Sequence, residues 1–116
     1  MLNQTVLVGR LVENPTIEKK EEKEICRITL AVPRSYKNAD GEYETDFITC
    51  TLWSGIATNT MEYCHKGDLM GIKGRLQSNI VEDENNGARY YVELIAEKVT
   101  FLSSKPNEET SKKDDN

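Results

Sequence analysis

The segment Asp46 to Trp53, with the sequence DFITCTLW, decides the fold of this chain. In an extended strand, successive side chains point to opposite faces of the sheet. One face of the segment carries three apolar side chains, those of Ile48, Cys50 and Leu52. The other face carries two large rings and two hydroxyl groups, those of Phe47, Trp53, Thr49 and Thr51. The first pattern is typical of a core, and the second predicts a face that water or a ligand reaches.

Four further segments have strand patterns and are separated by turn signals. They are residues 5–12, TVLVGRLV; residues 25–32, ICRITLAV; residues 68–77, DLMGIKGRLQ; and residues 89–102, RYYVELIAEKVTFL. The turn signals are NADG at 38–41 and the pair Asn86-Gly87. Gly9 lies inside the first strand, where a glycine is typical of a bend in a closed barrel. DFITCTLW is therefore predicted to belong to the third of five strands.

The segment GIATNTMEYCHKG, residues 55–67, changes from the period of a strand to that of a helix. Its inward positions are Ile56, then Thr60 or Met61, then Cys64, and a lysine followed by Gly67 is a common way for a helix to end. The chain is thus predicted to be all-β with one short helix between its third and fourth strands. That order is the order of an OB-fold, a five-stranded Greek-key barrel.

The apolar positions of these strands predict the core. Alternation places Met70, Ile72 and Leu76 on one face, and Phe101 with Leu102 is expected to close the core at the last strand. The three cysteines are an odd number without zinc-site spacing, and we expect them to be reduced and buried: Cys26, Cys50 and Cys64.

A length of 116 residues suits one domain, which we place at residues 1–104. Residues 105–116, KPNEETSKKDDN, lack the apolar side chains needed for a core and are expected to form a disordered polar tail. No apolar run is long enough to cross a bilayer, and the amino terminus lacks the pattern of a signal peptide. We expect a cytoplasmic protein that does not associate with membranes.

The formal net charge of −5 is not typical of a protein that binds phosphates. Much of the acidic excess lies in two clusters that have the composition of loop tips, EKKEEKE at 18–24 and EDE at 82–84. Several basic residues lie instead in or beside the predicted strands. The local charge of a strand face can therefore differ from the net charge.

Five motifs carry a resemblance to a known family. They are LNQTVLVGRLVENP at the start, ITLAVPRSYKN, DFITCTLW, EYCHKGDLMGIKGRLQ and the final VTFL. Together, from residue 2 to about residue 103, they resemble the bacterial single-stranded DNA-binding protein family. The resemblance implies an OB-fold that binds single-stranded DNA without sequence specificity and protects it during replication, recombination and repair. The sequence shows no metal-ligand cluster, and we expect no cofactor and no metal.

The resemblance also implies which residues contact DNA. An exposed ring can stack on any base, which contributes roughly 1–3 kcal/mol per base in OB-folds of this kind. The predicted stacking residues are Tyr36, Phe47 and Trp53. Phe47 and Trp53 lie about 20 Å apart along an extended strand, which suits two separate bases. The predicted phosphate contacts are Arg34, Lys37, Lys66 and Arg89, with Arg10 and Arg75 as lesser candidates, whereas Tyr90 or Tyr91 is expected to pack at the barrel end or in an interface.

Two departures from the family pattern predict weaker binding than that of a typical relative. Ile80 and Val81 stand where the family commonly has an aromatic residue. Basic residues common in the family are replaced at Ser54, Gly55 and Asn79. Fewer phosphate contacts predict a shallower dependence of affinity on salt, because each neutralised phosphate releases counterions.

The resemblance implies a homotetramer, although the sequence leaves a dimer open. Family members usually end in an acidic tip that closes with apolar residues and recruits replication and repair proteins. This chain stops at SKKDDN, so the resemblance does not extend to that tip. A truncated chain, a phage or mobile-element relative and a specialised paralogue all remain open.

Catalysis is not expected. The single histidine, His65, is adjacent to Cys64, and neighbouring helical residues point about 100° apart, so they cannot act as nucleophile and base on one substrate. Two other binding functions remain open. One is a replication accessory resembling the primosomal replication protein, and the other is a module whose outward rings bind protein or sugar.

Overall fold

The computed structural model describes residues 1–85 and 87–103 and contains six strands and one helix. The strands are β1 (Thr5–Leu11), β2 (Ile17–Lys20), β3 (Lys23–Lys37), β4 (Tyr43–Trp53), β5 (Leu69–Asp83) and β6 (Gly87–Ser103), and the helix is α1 (Ser54–Tyr63). The predicted tail at residues 105–116 lies outside the described residues. DFITCTLW is in β4 because the short strand β2 precedes the second predicted strand.

Five of the strands close into a barrel. Their order is β1, β5, β6, β4, β3, and the barrel closes where Arg10 pairs with Ala31 of β3. All neighbours are antiparallel except β4 and β6, which run parallel. Gly9 lies at the closure, where an added Cβ would lie 2.7 Å from the carbonyl oxygen of Ala31. The architecture confirms the predicted OB-fold.

The barrel is filled by apolar side chains that alternate along the strands, because burying them removes apolar surface from water. Those with almost no exposed surface include Leu11, Leu30, Cys50, Leu52, Met70, Ile72 and Leu94. The predicted core face of DFITCTLW is thereby confirmed. All three cysteines are free and buried, as predicted. Burial raises the pKa of the Cys50 thiol to about 12, so this group stays protonated at neutral pH.

Helix α1 confirms the predicted change of period. It begins directly after β4 and buries Ala57 and Thr60, and Cys64 is buried at the residue after its last turn. Of the two alternatives for the inward position, Thr60 faces the core and Met61 is about half exposed. In the described part of the chain, no helix has both the length and the apolar character required to cross a membrane.

One expectation about the core, that for Phe101 and Leu102, was wrong. Leu76 shares a face with the buried Met70 and Ile72, as predicted, yet it is 46% exposed opposite the buried Leu94. It falls where the β5–β6 hairpin begins to extend past the barrel, and fewer strands are left there to cover it. Phe101 and Leu102 are both 47% exposed, and the Phe101 ring contacts Tyr63 of α1 with centroids 6.1 Å apart. They therefore lie at the surface and do not close the core.

The hairpin turns follow from local chemistry. At the predicted NADG turn, the side-chain oxygen of Asn38 accepts hydrogen bonds from the backbone N–H groups of Asp40 and Glu42, and Gly41 has a φ of 78°. The β2–β3 hairpin turns through only two residues, Glu21 and Glu22, because Lys20 pairs with Lys23. Both glutamates have positive φ, 51° and 67°, which is the left-handed region that Asn and Gly adopt more readily.

Replacing Glu21-Glu22 with Asn-Gly is therefore expected to raise the free energy of unfolding by about 1 kcal/mol, since the left-handed backbone costs Asn and Gly less than Glu. Chemical denaturation at a fixed protein concentration measures this change. The matched control is Gln-Gln at the same positions, which removes the charges and keeps the strain. An equal gain from Gln-Gln would assign the effect to charge.

Candidate nucleic-acid interface

The outer face of β4 presents the ring of Phe47. This side chain is 66% exposed because the residue directly opposite on β3 is the small Ala31. Trp53, on the same face, lies opposite Ile25 and is only partly exposed. Phe47 therefore offers a ring that a planar partner can cover, while Trp53 offers part of its indole.

The outer face of β4 continues onto β6 and β5. Thr51 lies between the two rings on this face and is buried, and its hydroxyl donates a 3.1 Å hydrogen bond to the carboxylate of Glu93 on β6. On β5, Arg75 donates to the side-chain oxygen of Gln77 at 2.8 Å, and the Gln77 amide donates to the side-chain oxygen of Asn79 at 3.2 Å. Side-chain hydrogen bonds thus hold a polar row beside the two aromatic rings.

The third predicted stacking residue, Tyr36, is 64% exposed. It lies in the part of β3 where the pairing with β4 is irregular, between Pro33 and Lys37. The Lys37 ammonium lies 5.6 Å from the ring centroid of Tyr43, within the range of a cation–π contact. Tyr36 and Lys37 therefore both lie on the β3–β4 hairpin, whose second strand also carries Phe47.

Arg34 is held by two carboxylates. Its guanidinium donates to Asp46 at 2.8 Å and also pairs with Glu44. The hydrogen bond to Asp46 is the largest cause that raises the pKa of Arg34, and the same bond lowers the pKa of the Asp46 carboxyl. Asp46 neighbours Phe47 in β4 and so points to the opposite face. The charge of Arg34 is compensated within the chain, away from the Phe47 ring.

The other predicted cations fall into two places. Arg89 is exposed on β6 and forms no ion pair with any residue of the described ranges 1–85 and 87–103. With Arg75 it belongs to the outer face of the β5–β6 hairpin, as the register of the two strands requires. Arg10 donates a 3.0 Å hydrogen bond to the carbonyl oxygen of Gly67, the residue after Lys66, so Arg10 and Lys66 are neighbours at a different place.

The sequence did not separate the two adjacent tyrosines of β6. Tyr90 is 73% exposed and Tyr91 is 47% exposed, so neither packs at the barrel end within this chain. The two side chains lie on opposite faces of β6, as the register between β5 and β6 shows. A sequence signal was available in the alternation of β6, once the buried Leu94 is known to face inward.

Comparison with known proteins adds an independent observation. The sequence profile of the single-strand binding protein family matches residues 2–102. The chain belongs to this family. Single-stranded DNA-binding protein B of Bacillus subtilis is 43% identical over 112 residues, which cover 96% of this chain and 99% of the relative. Single-stranded DNA-binding protein 1 of Clostridium acetobutylicum is 39% identical, with 90% and 96% covered.

A third family member, single-stranded DNA-binding protein 3 of Listeria innocua, is 44% identical over 109 residues. The alignment covers 92% of this chain and 68% of that relative. The resemblance drawn from five short motifs is thus confirmed over nearly the whole described chain.

Proposed function

We propose that this protein binds single-stranded DNA without sequence specificity through the outer face of β4 and the hairpins beside it. The observation that carries the proposal is the Phe47 ring, 66% exposed and on one strand face with Trp53, in a member of the single-strand binding protein family. A base has a π-face whatever its identity, so these rings stack without reading sequence. The relatives are named for binding single-stranded DNA and not for a reaction, which agrees with the prediction that the protein is not an enzyme.

The binding surface extends along the β3–β4 hairpin and the β5–β6 hairpin. Tyr36 and Lys37 contribute a ring and a cation from the first, and Arg75 and Arg89 contribute cations from the second. Lys66 and Arg10 meet a DNA strand only where it continues beyond this surface. The cellular role that follows is protection of single strands during replication, recombination and repair in the bacterial cytoplasm, at the nucleoid, whether the gene is chromosomal or is carried by a phage or mobile element.

The contribution of a cation to phosphate binding is expected to depend on whether a carboxylate of the chain already neutralises its charge. Replacing Arg89 with Ala should reduce the slope of log affinity against log salt by about 0.7 and weaken binding about fivefold near 0.1 M salt, because one phosphate contact is lost. Replacing Arg34 with Ala is the matched control and should leave the slope unchanged, because Asp46 and Glu44 already neutralise that cation. Salt titrations of oligo(dT) binding measure both slopes, and a larger loss at Arg34 than at Arg89 would contradict this assignment.

We infer that the protein assembles as a homotetramer. The outer face of β1 exposes Val6 and Val8, at 68% and 49%. These side chains line an apolar groove together with Gly71 and Leu102. A second copy of the chain would remove this surface from water. Light scattering gives the mass in solution; a dimer would favour the likeness to the primosomal replication protein, and a monomer would contradict assembly.

The experiment that tests DNA binding follows the fluorescence of the single tryptophan, Trp53, during titration with oligo(dT) at low and moderate salt. Stacking should quench the indole, and the affinity should fall as salt rises. If no oligonucleotide binds at low salt, the proposal is wrong. The net charge of −5 would then favour a module that binds protein or sugar through its outward rings.

A further inference from the structure

We propose that Tyr91 is a base-stacking residue of the same interface. The proposal rests on the proposed function, since it assigns a further residue to that binding surface. It concerns a base of single-stranded DNA as the partner of the Tyr91 ring.

The register of the β5–β6 hairpin fixes the face on which Tyr91 lies. From the pair Gly74 and Ala96 to the pair Asp83 and Gly87, the two strands are paired without interruption. Within this stretch of β6, Leu94 points into the core, so Glu93 and Tyr91 point outward. Glu93 accepts the hydrogen bond from Thr51, which lies between Phe47 and Trp53 on the outer face of β4. Tyr91 therefore shares its face with the two rings of β4.

Tyr91 also lies level with Phe47. Strands β4 and β6 run parallel and are paired at Thr51 with Ile95. Phe47 is four residues before Thr51, and Tyr91 is four residues before Ile95. Each is thus about 13 Å along its strand from that pair. The described pairing of β4 with β6 is confined to residues 50–51 and 94–95, so the strands separate toward these rings and leave space between them.

The surroundings of Tyr91 suit a nucleotide better than they suit packing. Its side chain is 47% exposed, and among residues 1–85 and 87–103 its hydroxyl has no hydrogen-bond partner. Arg89, two residues before Tyr91 in β6, lies on the same face and is exposed, so its guanidinium is available to a phosphate. Asn79 lies directly opposite Tyr91, and its side-chain NH₂ is shielded from solvent without a partner in that same part of the chain. A ring, a cation and an amide donor thus lie together.

Tyr90 provides the matched control because it is the same residue type on the other face. It lies opposite Ile80, on the face that continues from the buried Leu94, and it is 73% exposed. Greater exposure alone would favour Tyr90 as a stacking residue. The face shared with Phe47 favours Tyr91, so the two side chains separate these explanations.

The test introduces a second indole in the absence of the first. In the Trp53→Phe background, Tyr91→Trp and Tyr90→Trp are each titrated with oligo(dT), and light scattering confirms the same assembly. We expect strong quenching for Tyr91→Trp and an almost unchanged signal for Tyr90→Trp. In the original background, Tyr91→Ala should weaken oligo(dT) binding about tenfold, because one stacked base is lost. Tyr91→Phe should bind within about twofold of the original chain, because stacking uses the ring and not the hydroxyl.

The outcomes separate this proposal from the proposed function. If the unaltered protein binds oligo(dT) and Trp53 is quenched, but the indole introduced at position 91 is not, the Tyr91 proposal is overturned and DNA binding stands. Equal quenching at positions 90 and 91 overturns it as well, because stacking would then not depend on the strand face that Tyr91 shares with Phe47. If the unaltered protein does not bind oligo(dT), the proposed function itself fails.

Discussion

Replacing Phe47 with alanine is expected to weaken oligo(dT) binding by about 1–3 kcal/mol, the contribution of one stacked base. The ring is 66% exposed, so its loss removes little packing, and the free energy of unfolding should change by less than about 0.5 kcal/mol. Trp53 differs in this respect because its indole is partly buried beside Ile25. Phe47 is therefore the position at which binding can be changed with the least effect on the fold.

The matched control is Tyr63→Ala. Tyr63 is 59% exposed, on helix α1 and beside Phe101, so it tests whether any exposed ring matters. Titration of both variants with oligo(dT), together with chemical denaturation, gives affinity and stability separately. We expect Phe47→Ala to lose affinity at unchanged stability and Tyr63→Ala to keep its affinity. Equal affinity of Phe47→Ala and the unaltered protein would remove the outer face of β4 from the DNA-binding surface.

Replacing Gly74 with alanine is expected to lower the free energy of unfolding by about 3 kcal/mol or more. Gly74 lies where the register between β5 and β6 shifts, and an added Cβ would lie 2.0 Å from the carbonyl oxygen of Ile95. That neighbour is backbone, which cannot rotate away as a side chain can. The two strands would have to separate at the pair of Gly74 with Ala96, which joins β5 to β6 in the barrel.

Gly71→Ala is the control for the Gly74 prediction, because it lies three residues earlier on the same strand. Its added Cβ would be 3.8 Å from its nearest neighbours, which is an ordinary contact distance. Thermal and chemical denaturation of the two variants should show a large loss at Gly74 and a small change at Gly71. A similar small change at both positions would mean that β5 and β6 move apart at little cost.

The sequence determined the class of fold because local patterns report burial directly. The alternation in DFITCTLW placed Cys50 and Leu52 inward, and the helical period after Trp53 placed α1 between two strands. Turn chemistry at residues 38–41 fixed the hairpin between β3 and β4. Each of these inferences depends only on residues that are close together in the chain. The motifs in the same segments were enough to indicate the family.

Some properties of the site depend on residues far apart in the chain, and the sequence could not determine them. Arg34 reads as a free cation, yet the β3–β4 register brings Asp46 within hydrogen-bond distance of it. Phe101 reads as core, yet the fold places its ring beside Tyr63 of α1 at the surface, where it is 47% exposed. Both differences arise because exposure and charge compensation depend on what the fold brings alongside a residue.

The sequence by itself thus determined an OB-fold with outward rings at Phe47 and Trp53, because side-chain alternation is a property of the strand alone. Only the tertiary structure decided that Thr51 would be buried against Glu93 and that Tyr91 would lie level with Phe47 across the parallel pair. The physical reason is that the register between distant strands is set by closure of the whole barrel. No single segment contains that information.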